Sequence, residues 1–299
     1  MIKNLQGTGV ALVTPLNEKL EVDFKGLAKL LQTSNEGSVD YWVVHGTTGE
    51  SVTTQPAEKK QILEFIQANN PRNLPIAYGL GGNDTSELLR QIDKIDFKGI
   101  DAVLSVSPYY NRPSQEGIYL HYKALADICP VPLILYNVPS RTGSTIAPET
   151  VIRLSKHANI IGIKEASGNL VACIEIARDK PADFLLISGD DILTIPMIAV
   201  GGVGVISTIA NAFPKRMSDM VRAALNNDYK LAREHQSKLL TFHHLIAQGG
   251  NPVVTKQILA ALDICKNYVR LPLAPVDTPF IERIQQEVLR SCYHVISTF

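Results

Sequence analysis

The sequence predicts an α/β protein, a closed (β/α)8 TIM barrel with a C-terminal helical extension. Two observations carry this prediction. Eight short apolar runs rich in β-branched residues recur in about the first 210 residues, and such runs are typical of strands buried on both faces of a parallel sheet. Segments with helical spacing separate the runs, so the chain reads as eight consecutive βα units, the number that closes a barrel.

Each predicted strand is bounded by residues that favour turns. Thr14-Pro15 stops the first run, and the second continues into a polar loop flanked by glycines. The sixth run ends on Lys164, which places an amine at the rim of a packed interior. The eight runs cover residues 10–13, 41–44, 75–78, 102–106, 131–136, 160–164, 184–188 and 204–207.

The segments between the strands carry signals for helix starts. Asp23 is a plausible N-cap, and Pro56 lies where a first helical turn favours proline. Residues 192–210 carry no charge and approach membrane-spanning length, but Pro196 and three glycines favour a buried helix followed by strand eight. The other predicted helices cover residues 22–31, 56–68, 85–95, 115–128, 148–156 and 171–178.

The strand signal disappears after Pro214. The remaining residues have helical spacing, most clearly over 229–246, 252–262 and 279–293. We therefore expect two units, a catalytic barrel over residues 1–224 and a helical extension over residues 225–299 that packs on the barrel.

The composition excludes several classes of function. The 299 residues include 29 basic and 29 acidic side chains, so we expect neither nucleic acid nor an anionic membrane as a partner. The four cysteines are far apart and the N-terminus lacks a secretory signal, which favours a cytoplasmic protein. No metal is expected. Asp190-Asp191 resembles a magnesium pair, but adjacent carboxylates after a strand are more often caps.

Two side chains at neighbouring strand ends suggest nucleophilic catalysis. In these barrels the active site lies at the carboxyl ends of the strands. Lys164 ends strand six and Tyr136 ends strand five, so both can point into one cavity. Burial favours the neutral amine, which attacks a carbonyl to form a Schiff base, and a phenol beside it can transfer protons. The alternatives are a surface lysine paired with Glu165 and a core tyrosine.

Three further side chains suit a substrate carboxylate. Arg141 follows strand five, and a guanidinium binds a carboxylate through two parallel hydrogen bonds. Thr47 and Thr48 follow strand two and offer hydroxyl groups. Alternatively, Arg141 is a surface ion-pair partner, the threonines cap the next helix, and Tyr109 and Tyr110 form a packed aromatic corner.

Four motifs at strand ends identify a resemblance over nearly the whole chain. It resembles the dihydrodipicolinate synthase and N-acetylneuraminate lyase superfamily of class I aldolases. The motifs are Gly46-Thr-Thr-Gly-Glu-Ser51, Pro108-Tyr-Tyr-Asn-Arg-Pro113, Tyr136-Asn-Val-Pro-Ser-Arg-Thr-Gly143 and Gly162-Ile-Lys-Glu-Ala-Ser-Gly168.

The resemblance implies a condensation of pyruvate with aspartate semialdehyde, the first committed step toward diaminopimelate and lysine, with no cofactor. Lys164 would form the Schiff base, and Tyr136, Thr47 and Tyr110 would relay protons. Tyr110 would reach a neighbouring subunit's site, which implies a homo-oligomer, at least a tight dimer and usually a tetramer. The substrate-binding residues would be Thr48 for the pyruvate carboxylate, Arg141 for the aldehyde's carboxylate, and Gly189 and Ile206 along the wall.

One departure from the family concerns regulation. Many members are inhibited by lysine at the dimer interface, and Asn83, Glu87 and Tyr109 match that site. Pro56 and Lys59 replace histidines that are common in lysine-sensitive enzymes. A like charge at Lys59 disfavours the inhibitor's ammonium, so we expect weak or absent lysine inhibition.

Two other functions compete with this interpretation. An aldolase for sialic acid or a keto-deoxy sugar acid belongs to the same superfamily, but Arg141 within Ser-Arg-Thr-Gly favours the synthase. A non-catalytic binding or regulatory barrel would be marked by loss of the lysine or the tyrosine, and both are present.

Overall fold

The computed structural model describes residues 5–296, with side chains as far as residue 291, and confirms the predicted fold. Eight parallel strands pair in chain order, and β1 pairs with β8 to close the barrel. The strands are β1 (Gly7–Ala11), β2 (Tyr41–Val44), β3 (Ile76–Gly79), β4 (Ala102–Val106), β5 (Leu133–Asn137), β6 (Ile160–Glu165), β7 (Leu185–Ser188) and β8 (Gly204–Ser207).

Helices follow every strand and continue beyond the barrel. Asp23 caps α1 by accepting from the amides of Lys25 and Gly26, and Pro56 begins α2, as predicted. The helices are α1 (Phe24–Glu36), α2 (Pro56–Ala68), α3 (Thr85–Lys94), α4 (Gln115–Ile128), α5 (Pro139–Thr142), α6 (Pro148–Leu154), α7 (Leu170–Asp179), α8 (Thr194–Ala199), α9 (Pro214–Leu225), α10 (Tyr229–Gly249), α11 (Val253–Ala261) and α12 (Thr278–Ile296).

The first strand differs most from its prediction. It covers Gly7–Ala11 rather than residues 10–13. Glycine is required at position 9, because a Cβ there would lie 2.2 Å from the Tyr41 ring. The strand therefore begins with glycines that carry no apolar signal, and the apolar Val13 has left the ladder to donate its amide to Asn211 Oδ1 at 3.0 Å.

Two hydrophobic clusters hold the barrel together. The larger one fills the space between the strands and the surrounding helices and includes Trp42, Leu135 and Ile163. The smaller one fills the barrel interior and includes Tyr136 and Ile206. Side chains alternate between these clusters along each strand, which decides which strand-end residues face the interior.

The C-terminal helices pack against the last barrel helices and the strand ends. Helix α10 packs along α9 and also touches α8, and α11 and α12 pack on α10. Helix α9 ends at Leu225, and the division into units at residue 224 stays a prediction. Within residues 5–296, no helix combines the length and the apolar character needed to cross a membrane, and residues 192–210 form α8 and β8, as expected.

Candidate active site

A cavity of about 390 Å³ opens at the carboxyl ends of the strands. The barrel and the helical extension both contribute to its wall, so the site combines side chains that are distant in sequence. Its lining includes Thr47, Thr48, Tyr136, Arg141, Lys164 and Gly189 from the barrel, and His243, Ile246, Ala247 and Asn251 from the extension.

Lys164 and Tyr136 meet in this cavity, as predicted. They lie opposite each other in the register of β5 and β6, and both are almost fully buried. The Nζ atom of Lys164 lies 4.4 Å from the centroid of the Tyr136 ring. The alternative of a surface lysine paired with Glu165 is wrong, because the two side chains point to opposite faces of β6. The Glu165 carboxylate instead accepts from Asn137 Nδ2 at 2.8 Å.

Gly189 provides the space that Lys164 occupies. A Cβ at position 189 would lie 3.0 Å from both Cγ and Cε of Lys164, and 2.6 Å from Cβ of Ala166. The backbone amide of Gly189 is held by Glu165 O at 2.7 Å. The glycine after β7 therefore allows the amine of Lys164 to extend into the cavity.

Thr47 and Thr48 lie in a single 3-10 turn, Thr47–Gly49, directly after β2. The alternative that they cap the next helix is wrong, because α2 begins only at Pro56 and its N-cap is Gln55, whose backbone N–H donates to Glu58 Oε2 at 2.8 Å. Thr48 is 4% exposed, and its hydroxyl oxygen accepts from Asn251 Nδ2 at 2.9 Å. One threonine hydroxyl is therefore oriented by the extension.

Arg141 lies on the short helix α5 and lines the cavity. Its Nη2 donates to the backbone oxygen of Asn251 at 3.2 Å. Among the described residues, it makes no ion pair with a carboxylate, so the alternative of a surface ion-pair partner is wrong. The guanidinium is available to an anionic ligand.

Two candidate residues lie outside the cavity wall. Tyr110 is 89% exposed and has a positive φ of 74°, so its part in a packed aromatic corner is wrong, although Tyr109 does line the cavity. Ile206 is buried in the barrel interior beside Tyr136, below the cavity. The structure therefore brings Thr47, Tyr136 and Lys164 into one cavity and leaves Tyr110 exposed outside its lining.

Comparison with known proteins identifies the family. A sequence model of the Dihydrodipicolinate synthetase family matches residues 4–290. The chain belongs to this family. It is 46% identical over 280 residues to the 4-hydroxy-tetrahydrodipicolinate synthase of Cytophaga hutchinsonii, covering 94% of each chain. The resemblance stated from the four motifs is confirmed.

Solved structures of family members share the whole fold. The chloride-inhibited dihydrodipicolinate synthase of Acinetobacter baumannii, complexed with pyruvate, superposes with a TM-score of 0.93 at 35% identity, covering 96% of this chain and 99% of that one. A monomeric dihydrodipicolinate synthase variant superposes with a TM-score of 0.92 at 31% identity, covering 96% of both chains.

The candidate regulatory residues of this family member lie outside the cavity, apart from Tyr109. Asn83 Nδ2 donates to the backbone oxygen of Tyr109 at 3.2 Å, which joins two of them. Glu87 lies on α3, where hydrogen bonds from Gln91 and Arg90 lower the pKa of its carboxyl. Lys59 lies half-buried on α2, and burial lowers the pKa of its amine.

Asp190 and Asp191 accept hydrogen bonds from backbone amides of the neighbouring loops, but neither is the N-cap of a helix, because Leu193 and Thr208 occupy those positions. Asp190 Oδ1 accepts from the amide of Ile192 at 3.0 Å. Asp191 Oδ2 accepts from the amides of Thr208 and Ile209 at 3.1 Å and 3.0 Å, and burial raises the pKa of its carboxyl. Both carboxylates organise loops that line the cavity.

Sequence reasoning missed three residues of the site. Asn251 precedes α11 and His243 lies on α10, so neither carries a strand-end signal. His45 follows β2 and lines the cavity, and its burial lowers its pKa to about 4. The position of His45, directly before the Gly46-Thr-Thr-Gly49 motif, was the one sequence signal that could have identified it.

Proposed function

We propose that the protein condenses pyruvate with L-aspartate 4-semialdehyde, through a Schiff base on Lys164, to give 4-hydroxy-tetrahydrodipicolinate. The observation that carries this proposal is the buried Lys164 amine against the Tyr136 ring in a cavity of substrate size. The relatives of the chain support it, because they match the chain over nearly their full length and are named for this activity. Those names favour the synthase over a sugar-acid aldolase and over a non-catalytic barrel.

The chemistry requires one nucleophile and a route for protons. The neutral Lys164 amine attacks the keto carbon of pyruvate, and loss of water gives an iminium. Loss of a methyl proton converts it to an enamine, whose carbon attacks the aldehyde. The substrate's own amino group then attacks the iminium carbon, which closes the ring and releases Lys164. Tyr136 and Thr47, which line the same cavity as Lys164, would carry these protons, and Tyr110 of a neighbouring copy would complete the relay.

The two substrate carboxylates have separate partners in this proposal. The Thr48 hydroxyl, with the turn that holds it, receives the pyruvate carboxylate near Lys164. Arg141, which also lines the cavity, receives the carboxylate of the aldehyde. Every step uses side chains of the chain itself, so we propose that no metal or cofactor participates and that the reaction serves diaminopimelate and lysine biosynthesis in the cytoplasm.

We propose an assembly of at least two copies. The exposure and positive φ of Tyr110 support it, because an aromatic ring held away from its own core is placed to enter another copy. A structurally similar family member is described as monomeric, so assembly varies among relatives. Sedimentation of the active protein should give a dimer or larger; a fully active monomer would contradict the role of Tyr110.

Borohydride trapping tests the central claim. Reduction in the presence of pyruvate should leave a stable N-(1-carboxyethyl) group, which is pyruvate after loss of water and gain of two hydrogens, on the peptide that carries Lys164, and Lys164→Met should abolish it. Lys59→Met, half-buried on α2, serves as the matched control and should leave the adduct intact. The absence of an adduct, or an adduct on another lysine, would refute the Schiff-base proposal.

A further inference from the structure

Asn251 contacts both side chains to which the proposed function assigns a substrate carboxylate. Its Nδ2 donates to Thr48 Oγ1 at 2.9 Å, and its backbone oxygen accepts from Arg141 Nη2 at 3.2 Å. Asn251 itself lines the cavity and lies just before α11 of the extension. One residue from outside the barrel thus bridges Thr48 and Arg141.

The direction of the Thr48 hydrogen bond decides what its hydroxyl can do. Thr255 Oγ1 donates to Asn251 Oδ1 at 3.1 Å, which turns the amide nitrogen toward Thr48. A hydroxyl has one hydrogen and two lone pairs. Because Thr48 accepts from Asn251, its own hydrogen remains free to be donated to an anion in the cavity.

We propose that Asn251 is a positioning residue for the pyruvate site, acting through the Thr48 hydroxyl. Its amide donates to the oxygen of the Thr48 hydroxyl, and the hydrogen of that hydroxyl is thereby left to be donated to the substrate. This inference rests on the proposed function, since it needs Thr48 to bind the pyruvate carboxylate. It goes beyond that function by giving the helical extension a part in substrate binding.

The extension is anchored firmly enough for this role. Lys256, one turn into α11, is completely buried and forms an ion pair with Glu50, which follows the Thr47–Gly49 turn by one residue. Lys256 Nζ also donates to the backbone oxygen of Tyr268 at 2.8 Å. The segments that carry Asn251 and Thr48 are therefore joined at two points, and their hydrogen bond has little freedom to rearrange.

Because Asn251 accepts from Arg141 through its backbone oxygen, mutation of its side chain can test the contact to Thr48 separately from the contact to Arg141. Substitution of the Asn251 side chain removes the donor to Thr48 and leaves the backbone oxygen that accepts from Arg141. A positioning role through Thr48 therefore predicts a change specific to pyruvate, whereas loss of packing would alter the response to both substrates.

A double-mutant cycle tests the inference. We would measure kcat and both KM values for wild type, Asn251→Leu, Thr48→Val and the double variant. Asn251→Leu should raise the KM for pyruvate about tenfold, the factor expected when the Thr48 hydroxyl loses its hydrogen bond to the charged carboxylate, with the KM for the aldehyde within about twofold. The double variant should be no worse than Thr48→Val alone.

Two more variants complete the experiment. Thr255→Val removes the donor that orients the amide, and it should raise the KM for pyruvate by a smaller factor. Asn267→Leu is the matched control: Asn267 is a half-buried asparagine of the same extension, and its Nδ2 donates to Gln257 Oε1 at 2.6 Å. It should change neither KM.

The outcomes separate this inference from the proposed function. Additive effects of Asn251→Leu and Thr48→Val, or equal increases in both KM values, would overturn the positioning role while borohydride trapping of pyruvate on wild type leaves the proposed function standing. Wild-type protein that traps no pyruvate would overturn the proposed function and the inference with it.

Discussion

The space around Lys164 depends on the absence of a side chain at Gly189. Gly189 lies so close that a Cβ would press on the aliphatic stem of the lysine at 3.0 Å and on Ala166 at 2.6 Å. The close contacts are Cβ of Ala166, which moves only with its backbone, and the stem of Lys164, which begins on β6. The geometry of the nucleophile is therefore decided by its neighbour as much as by the lysine itself.

Gly189→Ala should lower kcat/KM by about a hundredfold or more, because displacement of a reacting group by about 1 Å costs that much. Initial-rate assays with both substrates would measure it, with the rate of borohydride trapping as a direct test of the amine. Gly82→Ala is the control, since its methyl would meet only Leu88 at an ordinary distance of 3.4 Å. Unchanged trapping and kcat/KM in Gly189→Ala would contradict the packing argument.

The expected inhibition by free lysine depends on the side chain of Lys59. A positive side chain near the inhibitor's ammonium makes binding less favourable by Coulomb repulsion. We expect the wild type to show weak or absent inhibition, and Pro56→His with Lys59→His to lower the inhibition constant at least about tenfold. Lys60→His, on the exposed side of α2, is the control. A wild-type inhibition constant in the low micromolar to submillimolar range would contradict this prediction.

At the scale of elements, a buried ion pair joins the β2 loop to α11. Lys256 is fully buried and Glu50 is 5% exposed. Desolvation lowers the pKa of Lys256, and the charge of Glu50 opposes that effect. Arg270 adds a backbone amide to the other oxygen of Glu50 at 3.1 Å. The pair holds the extension against the turn that carries Thr47 and Thr48.

Removal of one partner should be costly, because it leaves an uncompensated charge in the interior. Lys256→Met should lower the free energy of unfolding by about 3–5 kcal/mol, and Glu50→Gln in the same chain should restore much of the loss. Denaturant titration at fixed protein concentration would measure both. Glu58→Gln, which breaks the more exposed pair with Arg270, should cost less. A double variant as unstable as Lys256→Met would show that the charge is not the cause.

At the scale of the whole molecule, buried histidines link stability to pH. Burial lowers the pKa of His45 and of His121 to about 4. His121 lies on α4, and its side chain contacts α3, where Thr85 Oγ1 lies 2.8 Å from His121 Nδ1. The unfolded chain takes up a proton on such a side chain near pH 6.5, whereas the folded chain does so only near pH 4. Their contribution to stability is therefore complete above about pH 6.5 and is lost as the pH falls toward 4.

His121→Leu should remove part of this acid sensitivity. Relative to wild type, the variant should gain roughly 2–3 kcal/mol in the free energy of unfolding between pH 7 and pH 4, because it has no proton to take up on unfolding. Denaturant titrations of the two proteins across this range would measure the difference, in which the contributions of the carboxyl groups cancel. Equal changes in the free energy of unfolding of the two proteins between pH 7 and pH 4 would contradict this prediction.

The sequence by itself determined the fold and the chemistry of the strand ends. Eight strands alternating with helices admit few arrangements, and a strand ending in Lys164 beside one ending in Tyr136 follows from the barrel's strand order. These features depend on local periodicity and chain order, which the sequence carries directly. The limits of β1 were less clear, because Gly7 and Gly9 have no side chain to supply the pattern.

Only the tertiary structure decided which distant groups complete the site. Asn251 lies 203 residues from Thr48, and Lys256 lies 206 residues from Glu50. Nothing near Asn251 or Lys256 in the sequence marks a partner, since such pairs depend on how the extension docks on the barrel. The room that Gly189 leaves for Lys164 is likewise a property of packing between β6 and the loop after β7. Contacts of this kind arise from the closed barrel and its docked helices, and local sequence patterns do not encode them.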